Sequence, residues 1–114
     1  MADTPKPGKP VRGSTTGQPI MALLDLLGRR WVLRVIWELR EETLSFRDLQ
    51  ERCGGTSSSV LVARLRDLRS SGVAELTSDG YRLTEEGGAL LLAFAPLQEW
   101  ASRWAQRTEF GAFG

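Results

Sequence analysis

The stretch LSFRDLQERCGGTSSSVLVARLRDLRSSGVAELTSDGYRLT, from Leu44 to Thr84, contains several short structural signals in direct succession. Ser45 has a side chain that caps helix N-termini, and Asp48 follows at the third helical position, where a carboxylate favours exposed backbone N–H groups. Gly54 and Gly55 supply the backbone freedom that a tight exit from this helix requires. A new cap then appears at Ser57. The pattern predicts a helix, a tight turn and a second helix.

The second of these helices, predicted from Ser57 to Ser71, has two different faces. Its leucines recur at steps of four and three residues and therefore share one face, which we expect to pack on the core: Leu61, Leu65 and Leu68. At about 100° per residue, the opposite face carries small residues and arginine. These are Ser59, Ala63, Arg66 and Ser70, flanked by Val62 and Arg69. Such a face fits a DNA major groove, with Arg66 at a guanine edge or a phosphate. An arginine-bearing solvated helix is the alternative.

A short hairpin follows this helix. Val73, Glu75 and Thr77 alternate with Ala74 and Leu76, Ser78-Asp79-Gly80 is a turn signal, and Tyr81 to Thr84 predicts the returning strand. The hairpin has the position of a wing, so the whole stretch predicts a winged helix-turn-helix, for which DNA binding is the leading function. Arg82, placed near the tip of the wing, is the candidate for a phosphate or minor-groove contact. A solvated arginine is the alternative there.

Two apolar segments precede this stretch. Residues 1–19 carry four of the five prolines and no apolar periodicity, which predicts a flexible tail. From Ile20 the leucines predict a short helix ended or bent at Gly28, and the apolar positions from Trp31 onward predict a second, longer helix ending near Glu42.

The last helix begins after Thr84, with acidic residues in its first turn. Its apolar positions are Leu90, Leu91, Phe94, Leu97, Trp100 and Trp104. Pro96 should kink it, because proline removes a hydrogen bond and clashes with the preceding turn. A small three-helix core leaves this surface without a partner, so we expect a homodimer to bury it. The alternative is that the helix folds back on the monomer core. The predicted domain therefore spans residues 20–107, with a C-terminal tail at 108–114.

Composition narrows the function classes. A chain of 114 residues suits one domain. Its net charge of +1 is far from the strongly basic balance of many nucleic-acid binders, so a DNA role depends on where the charges lie. The absence of histidine and the single Cys53 exclude most catalytic and metal-binding templates. We therefore expect no enzyme activity, no cofactor and no metal. No apolar run approaches the roughly 20 residues of a membrane span, which predicts a cytoplasmic protein.

Four blocks resemble the HxlR-type transcriptional regulators, which are dimeric bacterial winged helix-turn-helix proteins of the MarR-like superfamily. The blocks are Leu24-Asp25-Leu26-Leu27-Gly28-Arg29-Arg30-Trp31, similar to the family's Leu-Asp-x-Ile-Gly-Gly-Lys-Trp, then Ser45-Phe46-Arg47-Asp48-Leu49, Ser57-x-x-x-Leu61-x-x-Arg64-Leu65-Arg66-x-Leu68 and Tyr81-x-Leu83-Thr84-Glu85-x-Gly87. The resemblance implies the fold, the homodimer, DNA binding and an interface made by the terminal helices. The chain departs from the family pattern in two places. Gln18 precedes Pro19 where redox-sensing members have a reactive cysteine, and the wing is short. Thiol sensing by that route is not expected, and Cys53 is interpreted as a buried structural thiol.

The fold class predicted is α+β, mostly α: a winged helix-turn-helix with a short two-stranded wing and terminal dimerisation helices. The predicted base-side residues are Ser57, Ser59, Val62, Ala63 and Arg66. The predicted phosphate contacts are Arg47, Arg64, Arg69 and Arg82. The predicted dimer interface consists of Leu23, Leu27, Trp31, Phe94, Leu97, Trp100 and Trp104.

The expected partners are double-stranded DNA, a second copy of the chain and a small-molecule effector. Two alternatives stay open. One is a winged-helix module that binds protein and has no DNA role. The other is a small-molecule-responsive repressor that holds an apolar ligand between the terminal helices, near Trp31, Phe94, Trp100 and Trp104.

Overall fold

The computed structural model describes Thr4, Pro5, Pro7 and residues 17–107, which form six helices and one two-stranded sheet. The elements are α1 (Pro19–Leu27), α2 (Val32–Glu38), α3 (Phe46–Arg52), α4 (Ser58–Ser70), β1 (Ala74–Thr77), β2 (Gly80–Leu83), α5 (Glu85–Ala93) and α6 (Ala95–Arg107). The predicted winged helix-turn-helix is confirmed. The predicted tails at 1–19 and 108–114 lie mostly outside the described residues, although Pro19 already belongs to α1.

The helix-turn-helix forms where its local signals lie. The Ser45 hydroxyl accepts a hydrogen bond from the backbone N–H of Asp48 at 3.1 Å, and α3 begins at the next residue after Ser45. The Ser57 hydroxyl does the same for Val60 at 3.2 Å. Between the two helices Gly54 has a φ of 69°, a left-handed conformation that costs a glycine little. The two capped helices are therefore joined by a turn of defined geometry.

The core lies under α4. Leu61, Leu65 and Leu68 are each at most 2% exposed, as the leucine spacing predicted. Around them the core cluster is completed by apolar residues of the other elements: Leu26, Val32, Val35, Ile36, Leu39, Leu44, Leu49, Cys53, Val73 and Ala74. Because its leucine face is buried in this core, α4 leaves the opposite face to solvent.

The wing is an antiparallel hairpin, and a third segment pairs with its second strand close to the turn. Leu44 forms a bridge with Tyr81, with hydrogen bonds of 2.9 and 2.8 Å in the two directions. Arg82 lies opposite Glu75, and two residue pairs separate that pair from the turn. The expectation that Arg82 lies near the wing tip is wrong, because the strands have four residues each and the turn takes only Ser78 and Asp79.

Helix α2 is shorter than predicted. It ends at Glu38, so it does not reach Glu42, and its 7 residues make it shorter than α1 with 9. The reason is tertiary. Leu44 must be extended to pair with Tyr81, so the chain leaves the helix early, and the Arg40 guanidinium closes the end by donating to the Trp37 carbonyl at 3.0 Å.

The last helix is divided in two, where the sequence predicted a kink. It breaks at Phe94, and Pro96 lies in the first turn of α6, where a missing N–H costs nothing. Helix α6 packs on α5 yet has no buried residue among those described. The first half of the predicted helix, α5, thus packs on the core through Leu90 and Leu91, whereas α6 leaves its large apolar residues exposed.

Candidate DNA-binding site

The outer face of α4 gathers the five predicted base-side residues. Ser57, Ser59, Val62 and Arg66 are exposed, and Ala63 is half-buried between them. Val62 is 45% exposed, a large fraction for an apolar side chain. The Ser57 and Ser59 hydroxyl oxygens lie 3.3 Å apart at the start of the helix. Apart from Arg66 the side chains of this face are short, and they are mixed in polarity, which suits close approach to base edges.

A residue that the sequence analysis missed connects α3 to the start of α4. The Gln50 amide donates to the Thr56 carbonyl at 3.2 Å and to the Ser58 hydroxyl at 3.0 Å. These bonds hold the turn of the helix-turn-helix from inside. The signal was a polar residue directly after the buried Leu49, on the side of the helix that faces the turn.

The four predicted phosphate arginines are not equivalent. Arg47 is 88% exposed beside Glu51, and Arg82 is 54% exposed beside Glu75. Exposed ion pairs of this kind contribute little stability, so each arginine can exchange its carboxylate for a phosphate. Arg69 is exposed in the last turn of α4. Arg64 differs, because it is only 21% exposed and its Nε lies 3.3 Å from Asp67 Oδ2.

Asp67 is a buried carboxylate on α4 that the sequence analysis did not single out. It is 5% exposed, and a buried charge is costly unless it is paired. Its Oδ1 accepts hydrogen bonds from Thr4 Oγ1 at 2.9 Å and from the Arg29 guanidinium at 3.0 Å. Arg29 also lies 3.6 Å from Asp25. The spacing of three residues between Arg64 and Asp67 was a signal for part of this cluster.

The thiol of Cys53 is 2% exposed, as the sequence analysis expected. Burial raises its pKa, the nearby Arg34 opposes this effect, and Glu38 adds to it. The thiol is therefore protonated and poorly reactive at neutral pH. Gln18 precedes the first residue of α1 and is exposed.

The predicted interface residues fall into two groups. Leu97, Trp100 and Trp104 on α6 are 59%, 53% and 45% exposed, and the two indole rings stack at 5.8 Å. Leu23 and Phe94 are half-buried, while Leu27 and Trp31 pack partly on the core. An apolar cleft of about 270 Å³ opens between α2, α5 and α6. Its lining consists of Leu33, Ile36, Trp37, Leu91, Phe94, Leu97, Gln98 and Ala101.

A capped helix-turn-helix with an exposed second helix, a two-stranded wing and flanking helices defines a winged helix-turn-helix regulator. The model of the HxlR-like helix-turn-helix family matches residues 26–109, and the chain belongs to that family. It is therefore a DNA-binding transcriptional regulator. Among the described residues, no helix has the length and apolar character to cross a membrane.

Similar proteins carry the same description. YvaP of Bacillus subtilis, an uncharacterized HTH-type transcriptional regulator, is 27% identical over 88 residues, which are 71% of this chain and 82% of YvaP. The HTH-type transcriptional regulator YodB of B. subtilis is 28% identical over 101 residues, 82% of this chain and 90% of YodB. The crystal structure of quinone-bound YodB matches with a TM-score of 0.70 and 31% identity, covering 74% of this chain and 96% of that one. A MarR-family regulator from Enterococcus faecalis matches with a TM-score of 0.69 and 29% identity, covering 77% and 86%.

Proposed function

We propose that this regulator acts as a homodimer whose two α4 helices occupy successive major grooves of one operator, about 34 Å apart. The observation that carries the proposal is α6, which presents Leu97, Trp100 and Trp104 without burying any of its described residues. A helix with so much apolar surface needs a partner, and a second copy supplies the same surface by two-fold symmetry.

Other elements contribute apolar surface to the same interface. The large exposed hydrophobic residues of α1 and α2 are Ile20, Leu24, Leu33 and Trp37. With α6 they exceed the scattered single hydrophobics of an ordinary monomer surface. The predicted interface residues Leu23, Leu27, Trp31 and Phe94 lie on these same helices or beside them, half-buried in the monomer and available at their outer edges.

On DNA, the base-side residues divide by chemistry. Arg66 is the candidate for the O6 and N7 acceptors of a guanine, and Val62 with Ala63 for a thymine methyl. Ser57 and Ser59, at the N-terminus of α4, can bond base edges or a phosphate. The exposed Arg47, Arg69 and Arg82 neutralise phosphates. Arg64 is the weakest phosphate candidate, because it is only 21% exposed and its Nε lies 3.3 Å from the Asp67 carboxylate.

A small-molecule effector is the second candidate feature, and the cleft beside Trp37 favours it. Its lining is apolar apart from Gln98 and its volume of about 270 Å³ suits a small aromatic molecule. YodB, a relative, has been crystallised with bound quinone. Quenching of tryptophan fluorescence by a panel of quinones and aromatic acids would test this candidate. If no compound of the panel quenches the fluorescence saturably, the cleft is assigned to contact with the dimer partner instead.

The regulator works in the cytoplasm, where the bacterial chromosome lies, and has no enzymatic role. Family membership supports both statements. Glu85 and Glu86 are adjacent carboxylates of the kind that can act together in acid–base catalysis. They lie in the first turn of α5, where their negative charge stabilises the helix N-terminus.

The proposal is tested by binding a duplex that the protein selects from a random-sequence library, with an unrelated duplex of equal length as control. Affinity for the selected duplex should fall steeply with salt because bound arginines release counterions. Two protomers should bind per site, with contacted positions about 10 base pairs apart. Equal binding of both duplexes would contradict the proposal and favour the protein-interaction module.

A further inference from the structure

Arg29 lies in a turn whose backbone is hydrogen-bonded to the helix on either side of it. The turn joins α1 to α2, and the backbone N–H of Arg29 donates to the Leu26 carbonyl at 3.2 Å, while the Arg29 carbonyl accepts from Val32 at 3.2 Å. Trp31, at the end of the turn, has a φ of 76°, which a bulky side chain adopts only where the surroundings enforce it. The guanidinium of Arg29 is therefore carried by a backbone with little freedom.

The side chain of Arg29 connects α1 with α4, two helices that are far apart in the sequence. It lies 3.6 Å from Asp25 on α1 and 3.0 Å from Asp67 on α4, and is 15% exposed. Helix α1 packs chiefly on α2, and α4 chiefly on β1 and α2. The Arg29 bridge is thus a direct polar connection between the end of α1 and the helix that faces DNA.

The carboxylate of Asp67 requires this connection. Its side chain is 7% exposed, and Arg64, on the same helix, approaches it at 3.3 Å without completing a hydrogen bond at Oδ2. Arg29 and Thr4 both bond Oδ1. A buried ion pair contributes little net stability compared with apolar groups, but removing one partner of the pair is costly. In the family motif Leu-Asp-x-Ile-Gly-Gly-Lys-Trp, the position of Arg29 is the second glycine. A glycine has no side chain that could bond Asp67, so the bridge is a feature of this chain and not of the motif.

We propose that Arg29 is a positioning residue for DNA recognition: through Asp67 it sets the orientation of α4 relative to α1. The inference rests on the proposed function, since α1 belongs to the proposed dimer interface and α4 reads the operator. In a dimer, the orientation of each α4 relative to its interface helix determines whether both helices meet successive grooves. Arg29 itself is too buried to neutralise a phosphate.

The test compares Arg29→Met, Arg29→Lys, Asp67→Asn and the double variant with the wild type, using the duplex selected by the wild type. Arg29→Met should lower operator affinity by about tenfold, leaving the salt slope and the dimer dissociation constant unchanged. Arg29→Lys should recover part of the loss, since lysine keeps the positive charge but lacks the planar guanidinium with its several N–H donors. Arg30→Met is the matched control, because it removes the same charge from the neighbouring residue, whose exposed side chain lies over Trp31.

The double variant separates positioning from stability. Adding Asp67→Asn to Arg29→Met removes a buried charge that has lost one of its two arginine partners, so thermal stability should recover. Operator affinity should stay low, because the connection is still missing. If operator affinity instead recovers together with stability, or if Arg29→Met binds the operator within twofold of wild type, the inference is wrong.

Amide hydrogen exchange provides a readout that does not depend on DNA. In Arg29→Met, exchange should accelerate in α4 and in the turn at residues 28–31, while β1 and β2 stay protected. Equal operator and control binding by the wild type would contradict the proposed function alone. Unchanged exchange in α4 would contradict the role of Arg29 alone.

Discussion

Substitution of Trp100 by alanine should dissociate the proposed dimer without unfolding the protomer. Trp100 is 53% exposed, and no described residue of α6 contributes to the buried core. A tryptophan buries roughly 150–250 Å² when fully covered, so about half of that, roughly 100 Å², is available to a partner. At about 25 cal/mol per Å², this area is worth about 2.5 kcal/mol in each copy.

The symmetry of a homodimer doubles this effect. Two copies of the substitution remove up to about 5 kcal/mol, which corresponds to more than three powers of ten in the dissociation constant. Alanine retains a little of the contact, and part of Trp100 stacks on Trp104 at 5.8 Å within one chain. We therefore expect an increase of at least about a hundredfold in the dimer dissociation constant.

Sedimentation velocity over a range of protein concentrations measures this constant, and circular dichroism checks that the helices remain. Ser102→Ala is the control, because Ser102 is exposed on the opposite side of α6. The variant Trp100→Ala should also bind a single half-site with undiminished affinity while losing cooperative binding to the full operator. A dimer constant within threefold of wild type would show that α6 is not the interface.

Three further predictions concern single residues. Arg66→Ala should cost about 1–3 kcal/mol at one base position in competition binding with substituted operators, and an unchanged sequence preference would remove Arg66 from the base-side set. Gly87→Ala should lower the melting temperature, because a Cβ there would overlap the Val73 carbonyl at the base of the wing, whereas Gly88→Ala has open space and should not. The Cys53 thiol should react with a thiol reagent only as fast as the protein opens. Because its pKa is raised in the fold, stability should decline as the pH rises through the ordinary thiol pKa of roughly 8.5, and Cys53→Ala should lack this decline.

Much of the fold was predictable because its signals are local. The serine caps at Ser45 and Ser57 bond backbone groups within three residues, and Gly54 ends α3 by its own conformation. The spacing of Leu61, Leu65 and Leu68 follows from helix geometry alone. Such signals act before any tertiary contact forms, so they placed α3, α4 and the wing within a residue or two.

The errors have one physical cause, which is pairing between strand segments. Helix α2 ends early because Leu44 must pair with Tyr81, and the sequence near Glu38 contains no helix-terminating signal that would predict this end. Arg82 has a defined place in the wing only through its register opposite Glu75. Both depend on hydrogen bonds between paired strand segments, and the periodicity of one segment does not specify which residues of the other it pairs with.

The candidate site divides in the same way. Which side chains face outward on α4 follows from helical periodicity, so the exposure of the proposed base-side residues could be predicted from the sequence. Whether an arginine is available to DNA is a tertiary matter, since Arg64 is turned toward Asp67 while Arg47 is exposed. Arg29 and Asp67 are 38 residues apart, and their contact exists only because α1, α2 and α4 pack around one core. Short-range signals were sufficient for α3, α4 and their faces, whereas the end of α2 and the contacts between charges of different elements depend on three-dimensional packing.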